Sequence, residues 1–246
     1  MIKTIHLPLI ISHRTEMADE PQNSLAGIRA AIKNKADGVE FDVRITKDGV
    51  PILAHDANIH EMPNDPLIKT LDFSEVNRFS NSYEARIYPS LSEALSTIED
   101  SISPIVELKT DDAIDAVIAV LTDAPITDRF QIWTFLPSVA AEMRQKLPEA
   151  HIALNFTENS LSSYYSDQTG IPAAVHIAEI LNLNAISGHL PLLAESSSDV
   201  LGQIPESLKL YTWTIREKSD IALALELDVD GLCGDSTIMM KTVIKG

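Results

Sequence analysis

Cysteine is almost missing from this chain: Cys233 stands alone among 246 residues. One thiol excludes an internal disulfide framework and a cysteine-rich zinc site, and it permits a reducing compartment. Basic residues are scarce as well, with 19 Lys and Arg against 36 Asp and Glu and a formal charge of -17. No Lys/Arg cluster is present to follow a phosphate backbone, so a nucleic-acid partner is not expected. The same charge opposes docking on anionic lipid. No apolar run is long enough to span a bilayer, so stable membrane insertion is not expected either. Near the N-terminus, Lys3 precedes only a short apolar run that Pro8 interrupts, which reads as a first strand and not as a signal peptide. On these absences the expected location is cytoplasmic. Linkers, fixed-period repeats and low-complexity tracts are missing too, which predicts a single domain over residues 1–246.

What the chain has in quantity is apolar sequence, 45% of its residues, enough for one large core. The apolar residues fall into eight short strand-like runs: Leu7–Ser12, Val39–Val43, Ile105–Leu108, Phe130–Thr134, Ile152–Asn155, Ala185–Gly188, Leu210–Thr214 and Gly231–Gly234. Between them lie helical patterns over Ser24–Asn34, Ser92–Glu99, Ala113–Leu121, Ser138–Leu147, Ala173–Leu181 and Lys218–Leu227, the last with Ser219 and Asp220 at the expected N-cap. Strands that alternate with helices pair in parallel through right-handed crossovers, and eight such units predict an α/β fold of the (β/α)8 TIM-barrel type. A doubly wound sheet is the weaker competitor. The stretch from His55 to Pro89 exceeds a tight strand-to-helix loop; Pro51–Ala54 reads as a short extra strand before it.

The second strand, Val39-Glu40-Phe41-Asp42-Val43, alternates apolar with acidic residues. Glu40 and Asp42 therefore share one face, and since the apolar side chains suit the helix-facing layer, the acids are expected to point into the barrel. Two ionised carboxylates in a partly desolvated interior raise each other's pKa unless a cation lies between them, and a hard divalent ion takes oxygen ligands. Acid-x-acid strands also occur as exposed faces or within Lys/Arg networks. Val106-Glu107-Leu108-Lys109 repeats the device, so that Glu107 can complete a three-carboxylate site for Mg²⁺ or Ca²⁺ and Lys109 can meet a phosphate oxygen. A plain Glu–Lys pair is the alternative for that strand. His13 and His55 each follow a strand and overhang the mouth, where barrel active sites lie. Two such histidines can exchange protons at neutral pH, and the Arg14 fork suits phosphate. His6, His60, His151 and His176 read as ordinary surface or core residues, as does His189, though it falls near the end of the sixth strand.

These residues sit in motifs that resemble the glycerophosphodiester phosphodiesterase family. His13-Arg14-Thr15, Pro21-Gln22-Asn23-Ser24, Asp37-Gly38-Val39-Glu40-Phe41-Asp42, Thr46-Lys47-Asp48-Gly49, His55-Asp56, Pro89–Leu95 and Glu107-Leu108-Lys109 follow the family's order, as do Tyr211–Thr214 and Val229–Asp235. The resemblance implies metal-dependent hydrolysis of a small-molecule glycerophosphodiester to sn-glycerol 3-phosphate and an alcohol. It further implies Glu40, Asp42 and Glu107 as metal ligands and His13 and His55 as the acid/base pair. Arg14 and Lys109 would contact phosphate, and Trp213 would wall the pocket. Two positions depart from the pattern: Thr15 stands where the family has glycine, and Gln22 where it has glutamate. An active enzyme with altered substrate preference is the favoured expectation. A barrel that binds a phosphorylated ligand without turnover, or one that cleaves a different phosphodiester, is the alternative.

Overall fold

A computed structural model describes residues 7–82, 84–124, 129–164 and 168–245. The chain opens with β1 (Leu9–Ser12), α1 (Leu25–Lys33), β2 (Gly38–Ile45), the short β3 (Pro51–Leu53), α2 (Phe73–Ser80), α3 (Leu91–Ile98) and β4 (Ser103–Leu108). It continues through α4 (Ile114–Asp123), β5 (Gln131–Thr134), α5 (Pro137–Lys146), β6 (His151–Phe156), α6 (Gly170–Ile180) and β7 (Ala185–His189). The last third holds α7 (Leu190–Glu195), α8 (Ser198–Leu201), β8 (Lys209–Ile215), α9 (Lys218–Glu226), β9 (Gly231–Gly234) and α10 (Thr237–Lys245). Strand β1 pairs in parallel with both β2 and β9, so the series β1-β2-β4-β5-β6-β7-β8-β9 closes on itself. The expected eight-stranded parallel barrel is what forms, and β3 adds an antiparallel hairpin to the outer end of β2.

Alternation along the strands sorts the side chains. Ile10, Val39, Phe41, Val43, Val106, Leu108 and Ile132 join the core between sheet and helices, while Ile11, Ile105, Trp133, Ala153, Ala185, Tyr211 and Cys233 fill the barrel interior. Because strand side chains repeat with period two, the position two residues beyond each interior apolar residue also faces inward, one layer nearer the mouth. That rule carries Ile11 to His13, Ile105 to Glu107, Trp133 to Phe135, Ala153 to Asn155, Tyr211 to Trp213 and Cys233 to Asp235. An apolar floor thus leads directly into a polar layer.

Several boundaries moved. The first strand starts at Leu9, with Leu7 outside it and exposed. The α9 N-cap is Glu217, not Ser219 or Asp220: the Asp220 carboxylate reaches back to accept from the backbone N of Arg216 and Glu217, at 2.8 and 3.0 Å, which places it one turn inside the helix. The stretch from His55 to Pro89 builds its own small core from Ile59, Ile68 and Val76 under Ile52 and Ala54. Each such burial contributes about 1.5–3 kcal/mol, so the segment is anchored by packing of its own. Among the described residues, no helix is long and apolar enough to cross a membrane.

Candidate active site

Glu40, Asp42 and Glu107 are all buried, and one ligand atom from each lies within 4.8 Å of the others. Each carboxylate has its own wiring. Glu40 Oε2 accepts from the Arg14 backbone N at 2.8 Å, while Glu40 Oε1 is buried without a hydrogen-bond partner. Asp42 Oδ2 accepts from Asn23 Nδ2 at 2.9 Å, and Asn23 Oδ1 in turn accepts from the Asp42 backbone N at 3.0 Å. Glu107 Oε2 accepts from Asn155 Nδ2 at 2.9 Å. Lys109 Nζ spans the cluster, 2.5 Å from Glu107 Oε1 and 3.0 Å from Asp42 Oδ1.

The expectation that Glu40 and Asp42 raise each other's pKa holds for Glu40 and not for Asp42. Burial pushes Glu40 well above the ordinary carboxylate range, and the charges of Asp42 and Glu107 push the same way. Burial also raises Glu107, against the pull of Lys109. Asp42 departs from the expectation. Burial pushes it up too, but the Lys109 and Arg14 charges and the Asn23 hydrogen bond outweigh burial and hold it low. Two cations thus offset part of the acidic charge, and Glu40 is left as the least compensated group.

The cluster lines a cavity of about 190 Å³ whose wall also includes His13, Arg14, His55, Lys109, Phe135 and Trp213. His13 Nδ1 lies 2.7 Å from Asp235 Oδ1 and His55 Nδ1 lies 2.9 Å from Asp56 Oδ1. A carboxylate can only accept, so each Nδ1 carries the proton and Nε2 is the nitrogen left for substrate. Burial lowers the pKa of His55, with Asp42 opposing and Lys109 and Arg14 assisting. Arg14 Nη1 donates to Gln22 Oε1 at 3.0 Å, so the amide at the departing position 22 still holds the guanidinium. Trp213 stacks edge-on with Phe135, ring centroids 5.6 Å apart, and lies 5.0 Å from the His189 ring. All eight residues singled out in the sequence therefore border one cavity, with Lys109, expected at a phosphate, resting on the acids.

A family model for the glycerophosphoryl diester phosphodiesterase family matches residues 13–239. The chain belongs to this family. The glycerophosphodiester phosphodiesterase of Caldanaerobacter subterraneus subsp. tengcongensis is 24% identical over 256 residues, covering 96% of this chain and 98% of that protein. Glycerophosphodiester phosphodiesterase 1 of Mus musculus is 32% identical over 165 residues, covering 62% of this chain and 50% of that protein. Solved structures share the fold. The glycerophosphodiester phosphodiesterase of Thermotoga maritima aligns with a TM-score of 0.82 at 19% identity, over 98% of this chain and 100% of that one. A phosphodiesterase of Oleispira antarctica, in complex with the product sn-glycerol-3-phosphate, aligns with a TM-score of 0.82 at 21% identity over 98% of each chain. The named relatives are phosphoric diester hydrolases, in accord with the expectation for this family member.

Several groups at the site had no role assigned from sequence. Asp235 and Asn23 were visible inside motifs, but nothing local says that Asp235 meets a histidine 222 positions away. Asn155 lies on a strand, β6, with no motif at all. Among the described residues, no further histidine lines the cavity. His151 packs at the barrel floor 3.1 Å from the Tyr211 hydroxyl, and burial pushes it down to about 4. His60 is exposed between Asp56 and Asp65, and His6 lies outside the described residues.

The family position occupied by Thr15 has a structural consequence. Thr15 is fully buried with φ 78°, a region that favours glycine, and its Oγ1 has no partner. It fits because Gly27 on α1 has no Cβ: one built there would overlap Thr15 Oγ1 and sit 2.8 Å from its Cβ. Gly27→Ala is expected to destabilise by about 1–3 kcal/mol through overpacking. In a Thr15→Gly background the same change is expected to cost less, since only the Glu16 backbone N, 3.1 Å from that Cβ, stays close and alanine is the better helix former by about 1 kcal/mol. Urea unfolding of the four proteins measures the coupling; additive effects would show that the two residues do not interlock.

Proposed function

We propose that this chain hydrolyses a glycerophosphodiester to sn-glycerol 3-phosphate and an alcohol, as one barrel domain over residues 1–246. The supporting observation is the partnerless, buried Glu40 Oε1 within a three-carboxylate cluster that shares a cavity with two histidines. An all-oxygen donor set with an uncompensated carboxylate suits a hard divalent cation, Mg²⁺ or Ca²⁺. Glu40, Asp42 and Glu107 would hold that ion, and when bound it would supply Lewis-acid stabilisation to the phosphoryl oxygens.

The chain's own residues divide the remaining work. Arg14 and Lys109 bind phosphate oxygens, Arg14 through a fork already oriented by Gln22. Trp213 and Phe135 give the glycerol carbons an apolar wall. His55, whose burial favours the neutral form, takes the proton from the neighbouring glycerol hydroxyl as its oxygen attacks phosphorus. His13 gives a proton to the alcohol oxygen as the P–O bond to the alcohol breaks, leaving a cyclic phosphate. Water then opens the ring with the two roles reversed. Asp235 and Asp56 keep each imidazole in the tautomer that these transfers need.

The deciding assay is release of glycerol 3-phosphate from a panel of glycerophosphodiesters, with Mg²⁺, Ca²⁺ and Mn²⁺ each supplied to chelator-treated protein. Metal-dependent turnover of at least one diester is the expected result. The Lys109 contacts to Asp42 and Glu107 favour a second reading, a salt-bridged barrel that only binds a phosphorylated ligand. Ligand-induced thermal stabilisation without turnover across the panel would establish that reading and remove the first.

A further inference from the structure

Glu16 is a carboxylate that the reaction above leaves unused, and it is fully buried. It falls between the His13-Arg14-Thr15 and Pro21–Ser24 motifs and belongs to neither. Burying a carboxyl group is costly unless hydrogen bonds replace its water, and here they do. Oε2 accepts from Ser12 Oγ and from Thr237 Oγ1, each at 2.6 Å, while Oε1 accepts from the Thr237 backbone N at 2.8 Å. That N–H is one of the groups a helix start leaves without an intrahelical acceptor, so the side chain caps α10 with one oxygen and reaches β1 with the other.

The two ends of this bridge flank the His13–Asp235 pair. Ser12 is the last residue of β1 and precedes His13; Thr237 is the first residue of α10 and follows Asp235 by two. Glu16 therefore clamps the two chain segments that bring His13 Nδ1 within 2.7 Å of Asp235 Oδ1. Backbone bonds fix the segments up to that point: His13 N donates to Gly234 O and Ala18 N to Asp235 O, both at 2.9 Å, and Asp235 N donates to Ile215 O at 3.0 Å. Beyond Asp235 the chain turns into α10, and the Glu16 carboxylate holds that turn. The Asp235 side chain gains little orientation from Arg216, which is 3.5 Å away and largely exposed. Its aim depends on how its backbone is held on both sides.

We propose that Glu16 is a positioning residue: by joining Ser12 to Thr237 it sets the geometry of the His13–Asp235 pair and so keeps the proton on His13 Nδ1. Glu16 does not border the cavity, so it acts through the histidine and not on substrate. The kinetic consequence rests on the diesterase reading above, whereas the tautomer does not.

Glu16→Met, which keeps the length of the side chain and removes its acceptors, is expected to lower kcat by about 10-fold and to change KM by less than about 2-fold, since misplacing a proton-transfer group by a fraction of an ångström slows the chemical step. Glu16→Gln is expected to restore most of the rate, because an amide can accept from Thr237 N and donate to the Ser12 and Thr237 hydroxyl oxygens. Ser12→Ala separates positioning from helix capping. It cuts the bridge beside His13 and leaves the Thr237 bonds in place, and it is expected to lower kcat about 3-fold, the scale of one neutral hydrogen bond; a cap alone predicts no change. Nitrogen-15 NMR of the full chain in alkaline buffer, where the imidazole is neutral, reads the tautomer directly, with His13→Ala to assign the signals. Wild type and Glu16→Gln are expected to hold the proton on Nδ1, and Glu16→Met and Ser12→Ala to show a mixture with the Nε2–H form. A folded Glu16→Met protein whose His13 keeps the wild-type tautomer overturns the proposal, as does a Ser12→Ala protein with wild-type kcat and tautomer. If Glu16→Met does not fold, Ser12→Ala decides. If no diester turns over, the diesterase reading fails and the tautomer spectra alone decide this one.

Discussion

Replacing Glu40 with glutamine is expected to lower kcat/KM by at least about 10³-fold, to abolish the thermal stabilisation by Mg²⁺ or Ca²⁺, and yet to raise the melting temperature of the metal-free protein. The activity loss follows from the role of the cluster: a bound ion supplies several kcal/mol of charge stabilisation, and each 1.36 kcal/mol is about tenfold in rate. Glutamine preserves an acceptor for the Arg14 backbone N, 2.8 Å from Glu40 Oε2 in the native site. What it removes is the charge on the oxygen that has no protein partner.

The gain in metal-free stability follows from the sign of the pKa shift. Glu40 in the folded protein sits above its ordinary value of 4.5, through burial first and then through Asp42 and Glu107. Between that value and the raised one, the folded state binds more protons than the unfolded state, so stability falls as pH rises through the interval. Glutamine cannot ionise and escapes the loss. With ion present the order inverts, since saturating the wild type at 100 times its Kd adds about 2.7 kcal/mol that the variant forgoes. Thermal melts of both proteins in chelator and in excess cation, at pH 5 and pH 8, read this crossover. A salt-bridged structural network predicts no cation response in the wild type, and that result would sink the metal-site reading.

The acids, the histidines, Arg14, Lys109 and Trp213 were legible because each stands at a strand end or on a strand whose period-two pattern declares its face. Val39, Phe41 and Val43 against the helices leave Glu40 and Asp42 only the interior. What strand periodicity does not encode is who meets whom across the barrel. Lys109 could be placed on the face of Glu107, but its contact with Asp42 depends on β2 and β4 pairing with Asp42 beside Glu107, which the register supplies. Helix α10 was not anticipated, and the reason is equally non-local. Its first N–H and hydroxyl, on Thr237, bond the buried carboxylate of Glu16 at 2.8 and 2.6 Å, from 221 residues away.

Removing His13 is expected to lower kcat by about 10²–10⁴-fold, the range typical of general acid–base groups, and Asp235→Asn to reproduce part of that loss with little change in KM. Asp235 accepts from His13 Nδ1 at 2.7 Å, and although burial raises its pKa, the His13 hydrogen bond and the nearby charges of His13 and Arg216 hold it low. It therefore stays an ionised acceptor at neutral pH and keeps the proton on Nδ1. Asparagine brings no charge to stabilise the His13 imidazolium, and it can turn its amide toward the ring and favour the Nε2–H tautomer, which has no free lone pair at Nε2 to accept a proton when the roles reverse. The dyad is also braced from behind: the Ala18 backbone N donates to the Asp235 carbonyl at 2.9 Å, tying the loop after β1 to the end of β9. Arg216 lies 3.5 Å from the other Asp235 oxygen but is largely exposed, so Arg216→Gln is expected to change kcat by less than about 3-fold. Because Asp235 acts through His13, its removal should cost nothing further once His13 is alanine. Steady-state kinetics of His13→Ala, Asp235→Asn and the double variant measure this directly. If the double variant is slower than His13→Ala by the full factor of the Asp235 single change, Asp235 works independently of the histidine and the positioning role is wrong.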